Sequence, residues 1–364
     1  MLPKTLCFFN SNKAWGGGEK WHFENALLAR DKGYTVCVVA NATSVLADRL
    51  EKEQGIRLLR VPIGNMSFLN PSTLLRLVRF FRANAVQAIV MALPSDMKAG
   101  GIAARLAGVR DIIYRRGIAV PVRNSFLNRM LFHTVITKLI VNSVETKNCV
   151  LKHNAGMITE DRVHLVHCGF DVAAFDKAPV APMVARKPGE VLIGNAGRLT
   201  PQKGQKLLID AAALLKEQPL PFRILIAGTG EIEAELKAYA AQRGVTDVVE
   251  FLGFVSDMKS FHAGLDIFAL SSLWEGFCYV QVEAMTLEHP VVAWNVSSIP
   301  EVVMDGETGY LCRPEDVRCF ADRLLELMRD ETLRRKLGEN GRRRIIENFE
   351  MKKTFTDFEN CLNA

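Results

Sequence analysis

KAPVAPMVARKPGEVLIGNAG, residues 177–197, sets two kinds of sequence side by side. The first part, 177–190, has prolines at 179, 182 and 188 and no regular hydrophobic period, so it reads as an interdomain linker. The second part, VLIGNAG (191–197), is a short apolar run that ends on a glycine, the pattern of a buried strand entering a turn. What precedes the linker has its own rhythm. TLCFFN, TVCVVAN, IRLLRVP, AIVMALP, DIIYRRG, KLIVNS and VHLVHCG are β-branched or aromatic runs, with helical stretches at 18–32, 71–83, 96–107 and 143–154 between several of them. After the linker the rhythm restarts through VLIGNAG, FRILIAG, VVEFLGF, IFALSS, PVVAWN and TGYLC. Strand and helix in alternation specify parallel, doubly wound sheets. The expected fold class is therefore α/β, with two Rossmann-like domains facing across a cleft and ligands beyond the carboxyl ends of the strands.

Composition narrows the class. With 364 residues, 49% hydrophobic and 24% charged, the chain has material for two globular cores. No uncharged run reaches the roughly 18 to 20 apolar residues of a membrane helix. The opening residues read as a first strand and not as a signal peptide. The eight cysteines are scattered without a Cys-x-x-Cys pair, which argues against a zinc site and a disulfide framework and makes the cytoplasm the expected compartment. Charge is uneven. Residues 1–185 hold 24 Lys and Arg against 13 Asp and Glu, and residues 186–364 hold 22 against 27. A basic first half suits an anionic partner. Nucleic acid is disfavoured, because the cations do not cluster with aromatic residues.

Polar or glycine-rich loops follow several strands. SNKAWGGGE (11–19) places Gly17 and Gly18 where a backbone approaches a ligand and a helix begins. It is not GxGxxG, and strand two ends VVAN without an acid for a ribose, so a dinucleotide-dependent dehydrogenase is not supported. NAGRLTPQKGQ (195–205) carries Arg198, a fork for phosphate oxygens, and Lys203, a mobile point charge. AGTGE (227–231), with Gly230, is another strand-end glycine loop. SSLWEGFCYVQVEAM (271–285) sets two acids, Glu275 and Glu283, around the expected start of a helix. Carboxylates there accept hydrogen bonds from sugar hydroxyls, and amides near Gly276 suit an anion.

These strings together resemble the retaining, nucleotide-sugar-dependent glycosyltransferases of the family 4 type (glycosyl transferases group 1), which have the GT-B fold. The family's EGFGxxxxEAMAxGxPVV stands here as EGFCYVQVEAMTLEHPVV. GRLTPQKG, LIAGTGE, FLGFV, IPEVVMDGETGYL, GGGEKWHFENALLARDKGYTV, LIVNSVETKN and VHCGFD extend the likeness over nearly the whole chain. The resemblance implies an N-terminal acceptor-binding domain, 1–178, joined by the C-terminal helix 346–364, and a nucleotide-sugar-binding domain, 179–345. Arg198 and Lys203 would hold the donor diphosphate and Glu275 would contact the donor sugar beside Gly276, Phe277 and Cys278. Glu283 would bind the ribose, Gly253 and Phe254 would lie near the base, and Gly17, Gly18 and Gly230 would complete the donor site. No metal and no cofactor is expected, and a UDP-sugar is the favoured donor. The acceptor is a glycan or glycolipid, as in lipopolysaccharide assembly, with peripheral association at the anionic inner face of the cytoplasmic membrane. Three departures stand out. Cys278 replaces the second glycine of EGFG, and Glu288 the glycine of AxGxP. The histidine that follows the fourth strand in many relatives is missing, which leaves Asp96, Arg115 and Arg116 as first-domain candidates. A nucleotide-sugar epimerase or hydrolase of the same fold and a non-catalytic sugar-nucleotide-binding protein are the alternatives.

Overall fold

A computed structural model describes residues 5–364; the reading of residues 1–4 falls outside them. The chain divides into two units, residues 1–169 with 352–364, and residues 170–351. Unit 1 has seven strands: β1 (Thr5–Asn10), β2 (Thr35–Ala40), β3 (Ile56–Arg60), β4 (Ala88–Met91), β5 (Asp111–Arg116), β6 (Lys138–Val141) and β7 (Val163–Leu165). They form one parallel sheet in the order β3-β2-β1-β4-β5-β6-β7. Unit 2 has β8 (Val191–Ala196), β9 (Phe222–Ala227), β10 (Val249–Gly253), β11 (Ile267–Leu270), β12 (Val291–Trp294) and β13 (Gly309–Cys312). These are also parallel, in the order β10-β9-β8-β11-β12-β13. Each apolar run read from the sequence contains one of these strands, and both units have the expected Rossmann-like α/β architecture.

The central strands are buried along their whole length because helices cover both faces of each sheet, and so they read as unbroken apolar runs. In unit 1 the chain's last helix, Met351–Asn363, sets Phe358 against β1 and the first helix, Gly17–Asp31, and Phe355 against Tyr34. Phe358 lies 6.2 Å from Phe8 and 6.0 Å from Trp21. Glu359 accepts hydrogen bonds from Tyr34 at 2.8 Å and Lys32 at 2.5 Å. In each sheet the strand order reverses beside the first strand, between β1 and β4 and between β8 and β11. That switch point opens the carboxyl edge of the sheet to ligands.

One local finding differs from the sequence reading, and a second qualifies the core. Cys312 and Cys319 form a disulfide across the turn that leaves β13, a pairing that their spacing did not announce. The stretch 124–141 is not all core. Its helix, Phe126–Thr134, buries Leu131 and Phe132 but leaves Phe126 86% exposed, because only one face of an amphipathic helix can meet the sheet.

Candidate active site

In unit 2 the site grows from the loops after β8 and β11. Asn195, the last polar residue of β8, donates to the carbonyl of Ala269 at 2.8 Å and reaches Ser271 Oγ at 3.4 Å. Ser271 Oγ donates to the carbonyl of Lys203 at 2.8 Å, and Trp294 Nε1 donates to the carbonyl of Ser271 at 2.9 Å. The two loops are thereby tied together. Gly204 makes the approach possible. It has φ +61°, and a Cβ there would lie 2.1 Å from the Ser271 carbonyl oxygen.

This lock delivers Lys203 to Glu275. Lys203 Nζ donates to Glu275 Oε1 at 2.5 Å, and both side chains are largely buried. Burial works to lower the Lys203 pKa, but the Glu275 carboxylate, through its charge and its hydrogen bond, outweighs it and the net shift is upward. The lysine therefore stays cationic. Glu275 is further held by Ser298, whose hydroxyl donates to its carbonyl at 3.3 Å. Arg198, on the same loop as Lys203, is exposed at the surface. Cys278 adopts φ +65° and caps the helix Tyr279–Thr286. It thus takes the left-handed backbone that a glycine would adopt freely. Burial first, and then the Glu275 carboxylate, push its thiol pKa up, so it is neutral.

Glu283 lies on that helix and is buried. Its Oε2 is 3.9 Å from His262 Nε2. His262 is fully buried and held neutral by burial and the neighbouring His289. His262 was not singled out in the sequence, since it is separated in the chain from Glu283 and lies outside the strand ends. The other unit 2 candidates occupy the same edge. Gly253 closes β10 at φ +68°, Phe254 after it is 78% exposed, and the carbonyl of Gly253 accepts from Gly228 N at 2.7 Å. Gly230 packs on the backbone of Leu199, where a Cβ would come within 2.2 Å of its oxygen. Gly276 and Phe277 lie between Glu275 and the helix start, with Phe277 buried and its carbonyl accepting from Gln281 at 2.8 Å.

In unit 1, Gly17 and Gly18 open the helix Gly17–Asp31. Asp96 lies in the first turn of the helix Pro94–Ala107 and is fully buried. Its carboxylate accepts from Leu93 N at 3.0 Å and from the amide and hydroxyl of Ser11. Burial pushes it up to about 7, against the opposing pull of those hydrogen bonds. Asp96 is thus committed to fastening the β1 loop to the β4 loop. Arg115 and Arg116 end β5. Arg116 donates to the carbonyl of Val120, and Arg115 is buried over the ring of Trp21. The structure therefore brings Lys203, Glu275 and Cys278 together in unit 2. It places Asp96 and Arg115 on the carboxyl edge of the unit 1 sheet.

Comparison with known proteins agrees with this geometry. Residues 182–344 match the family model of the glycosyl transferases group 1. The chain is 30% identical over 175 residues to the capsular polysaccharide biosynthesis glycosyltransferase CapM of Staphylococcus aureus, covering 48% of this chain and 46% of that protein. It is 29% identical over 229 residues to the lipopolysaccharide core biosynthesis mannosyltransferase LpsB of Rhizobium meliloti (strain 1021), covering 60% and 65%. These alignments span less than two thirds of the relatives' own lengths. Among solved structures, Anabaena Alr3699/HepE in complex with UDP and glucose aligns over 99% of both chains with a TM-score of 0.82 and 22% identity. A glycosyltransferase from Rickettsia africae ESF-5 aligns over 98% of both chains with a TM-score of 0.84 and 19% identity. At these identities the likeness is one of fold.

Proposed function

Because residues 182–344 form a glycosyl transferases group 1 domain on a chain of GT-B fold, we propose that the protein is a retaining glycosyltransferase. It moves a hexose-type sugar from a nucleotide-diphosphate sugar to a glycan or glycolipid acceptor. The observation that carries the reading is the Lys203–Glu275 pair, held at the carboxyl edge of the unit 2 sheet. Cleaving the sugar–phosphate bond builds negative charge on the leaving diphosphate and oxocarbenium character on the sugar. Lys203 and Arg198 meet the first charge, more strongly in the transition state than in the ground state. Glu275, released from Lys203 as the diphosphate takes its place, accepts hydroxyls of the sugar, and Glu283 accepts those of the ribose. In this reading the cations and amides supply the counter-charge, so no metal ion takes part. A UDP-sugar is the favoured donor, in keeping with the UDP and glucose held by the Anabaena protein of the same fold.

For the acceptor, the reading takes a lipopolysaccharide-type glycolipid at the inner face of a membrane. Among the described residues no helix is long and apolar enough to cross a membrane. Phe126 and Met130, exposed one turn apart, stand beside Arg123 and Arg129, a pairing suited to an anionic surface. Co-sedimentation with vesicles containing anionic lipid should exceed that with neutral vesicles, and equal binding to both would remove this part. The transferase reading is tested by mass spectrometry of products from mixed sugar nucleotides and acceptors. The wild type should form a glycosylated product that Glu275→Ala does not, with the fold of the variant intact by circular dichroism. Full turnover by the variant would remove Glu275 from the mechanism.

A further inference from the structure

Arg115 is a buried cation without a counter-charge. It is 4% exposed, and its guanidinium carbon lies 4.2 Å from the centre of the Trp21 ring. Nη2 donates to the sulfur of Cys168 at 3.0 Å, a weak acceptor. Nε is buried without a hydrogen bond. Among the described residues no carboxylate stands within ion-pair distance of the group and Nη1 has no hydrogen bond. Half-buried Arg223, by contrast, meets both Glu190 and Glu250. A guanidinium taken out of water without an acceptor is unfavourable, and a fold keeps one where a ligand completes it.

The surroundings fit an incoming anion. Arg115 pairs with Ile140 in register near the carboxyl end of β5, the edge where parallel sheets take their ligands. Gly117, two residues on, bares the space over Nη1, since a Cβ there would lie 3.2 Å from it. Asn142, at the end of β6, donates to the Gly117 carbonyl at 3.2 Å and fixes that turn. The nearby His22 is buried and neutral, its pKa lowered to about 3 by burial and by Arg115, so Arg115 is the cation here.

We propose that Arg115, beneath Gly117 and Asn142, forms an anion subsite in unit 1 that receives a phosphate or carboxylate of a substrate. The subsite itself stands on these contacts; assigning its anion to the transferred sugar's acceptor or to the donor rests on the transferase reading. Isothermal titration of the full chain with inorganic phosphate, acetate and UDP tests it, using wild type, Arg115→Gln and Arg115→Lys. Wild type should bind phosphate or acetate saturably, and Arg115→Gln should weaken that binding about tenfold or more. If Arg115→Gln leaves UDP binding unchanged, the anion belongs to the acceptor; an equal loss for UDP assigns it to the donor diphosphate. Arg115→Lys keeps the charge but not the fork, so it should fold like wild type and bind the anion more weakly. Unchanged anion binding in a folded variant, or no anion binding by wild type, overturns the subsite. Loss of phosphate binding in a chain that binds no UDP and transfers no sugar would instead leave the subsite standing and remove the transferase reading.

Discussion

Replacing Asp96 with asparagine should change how stability depends on pH. The carboxyl is fully buried, and its folded pKa is raised from 3.8 to about 7. A raised folded pKa means that the favourable contribution of the protonated form is complete below pH 3.8 and is lost as pH rises through about 7. The rise from 3.8 to about 7 corresponds to about 4 kcal/mol. The buried histidines act in the opposite sense. His22, lowered to about 3, and His289, lowered to about 4, contribute stability above their unfolded value of 6.5 and lose it as pH falls toward those values. The wild-type profile alone therefore mixes both. The difference between wild type and Asp96→Asn isolates the carboxyl, since the histidines are common to both chains. With its oxygen in the place of Asp96 Oδ2, the asparagine can still accept from the amides of Ser11 and Leu93 while its Nδ2 donates to Ser11 Oγ, so the β1–β4 fastening survives. Urea unfolding at several pH values, with hydrogen exchange of the β1 and β4 peptides reporting unit 1, gives the difference. Between about pH 4 and pH 8 the variant should gain about 4 kcal/mol on wild type. Parallel profiles would show that Asp96 titrates at its ordinary value and would refute the reasoning.

Three further substitutions follow from the unit 2 site. Gly204→Ala combines a positive φ with a clash against the Ser271 carbonyl, so urea unfolding should show a loss of about 2 kcal/mol or more. Cys278→Gly removes the cost of a side chain at φ +65° and should raise stability by about 0.5–1 kcal/mol, measured the same way. Glu275→Ala leaves Lys203 without its buried partner. The expected loss is about 1–3 kcal/mol for leaving this part-buried donor unsatisfied, and in thermal shift UDP should stabilise this variant more than it stabilises wild type, because the diphosphate pairs the lysine again.

The strands were legible because parallel strands covered on both faces must be apolar throughout, as in TLCFFN and IFALSS. The candidate site's loops were visible because Gly, Lys and Glu interrupt those runs at strand ends, as at Lys203 and Glu275. What joins those loops was not. Asn195 meets Ser271 across the β8–β11 pair, and nothing local to either residue encodes that meeting. The same holds for His262 beside Glu283 and for the Cys312–Cys319 disulfide. Asp96 and Arg115 were visible as charged residues after strands. Their difference was not: Asp96 is satisfied by Ser11 and Leu93, whereas Arg115 has only an aromatic face and a thiol. Satisfaction of a buried charge depends on tertiary neighbours, so it is read only from the fold.

The most direct measurement is a crystal structure of the chain with a UDP-sugar, together with calorimetric UDP titration of Lys203→Ala. The account predicts diphosphate oxygens within hydrogen-bond distance of Lys203 Nζ, the sugar hydroxyls on Glu275, and an affinity for UDP lowered about tenfold or more in the variant. A diphosphate bound away from Lys203, with the affinity of the variant unchanged, would contradict it.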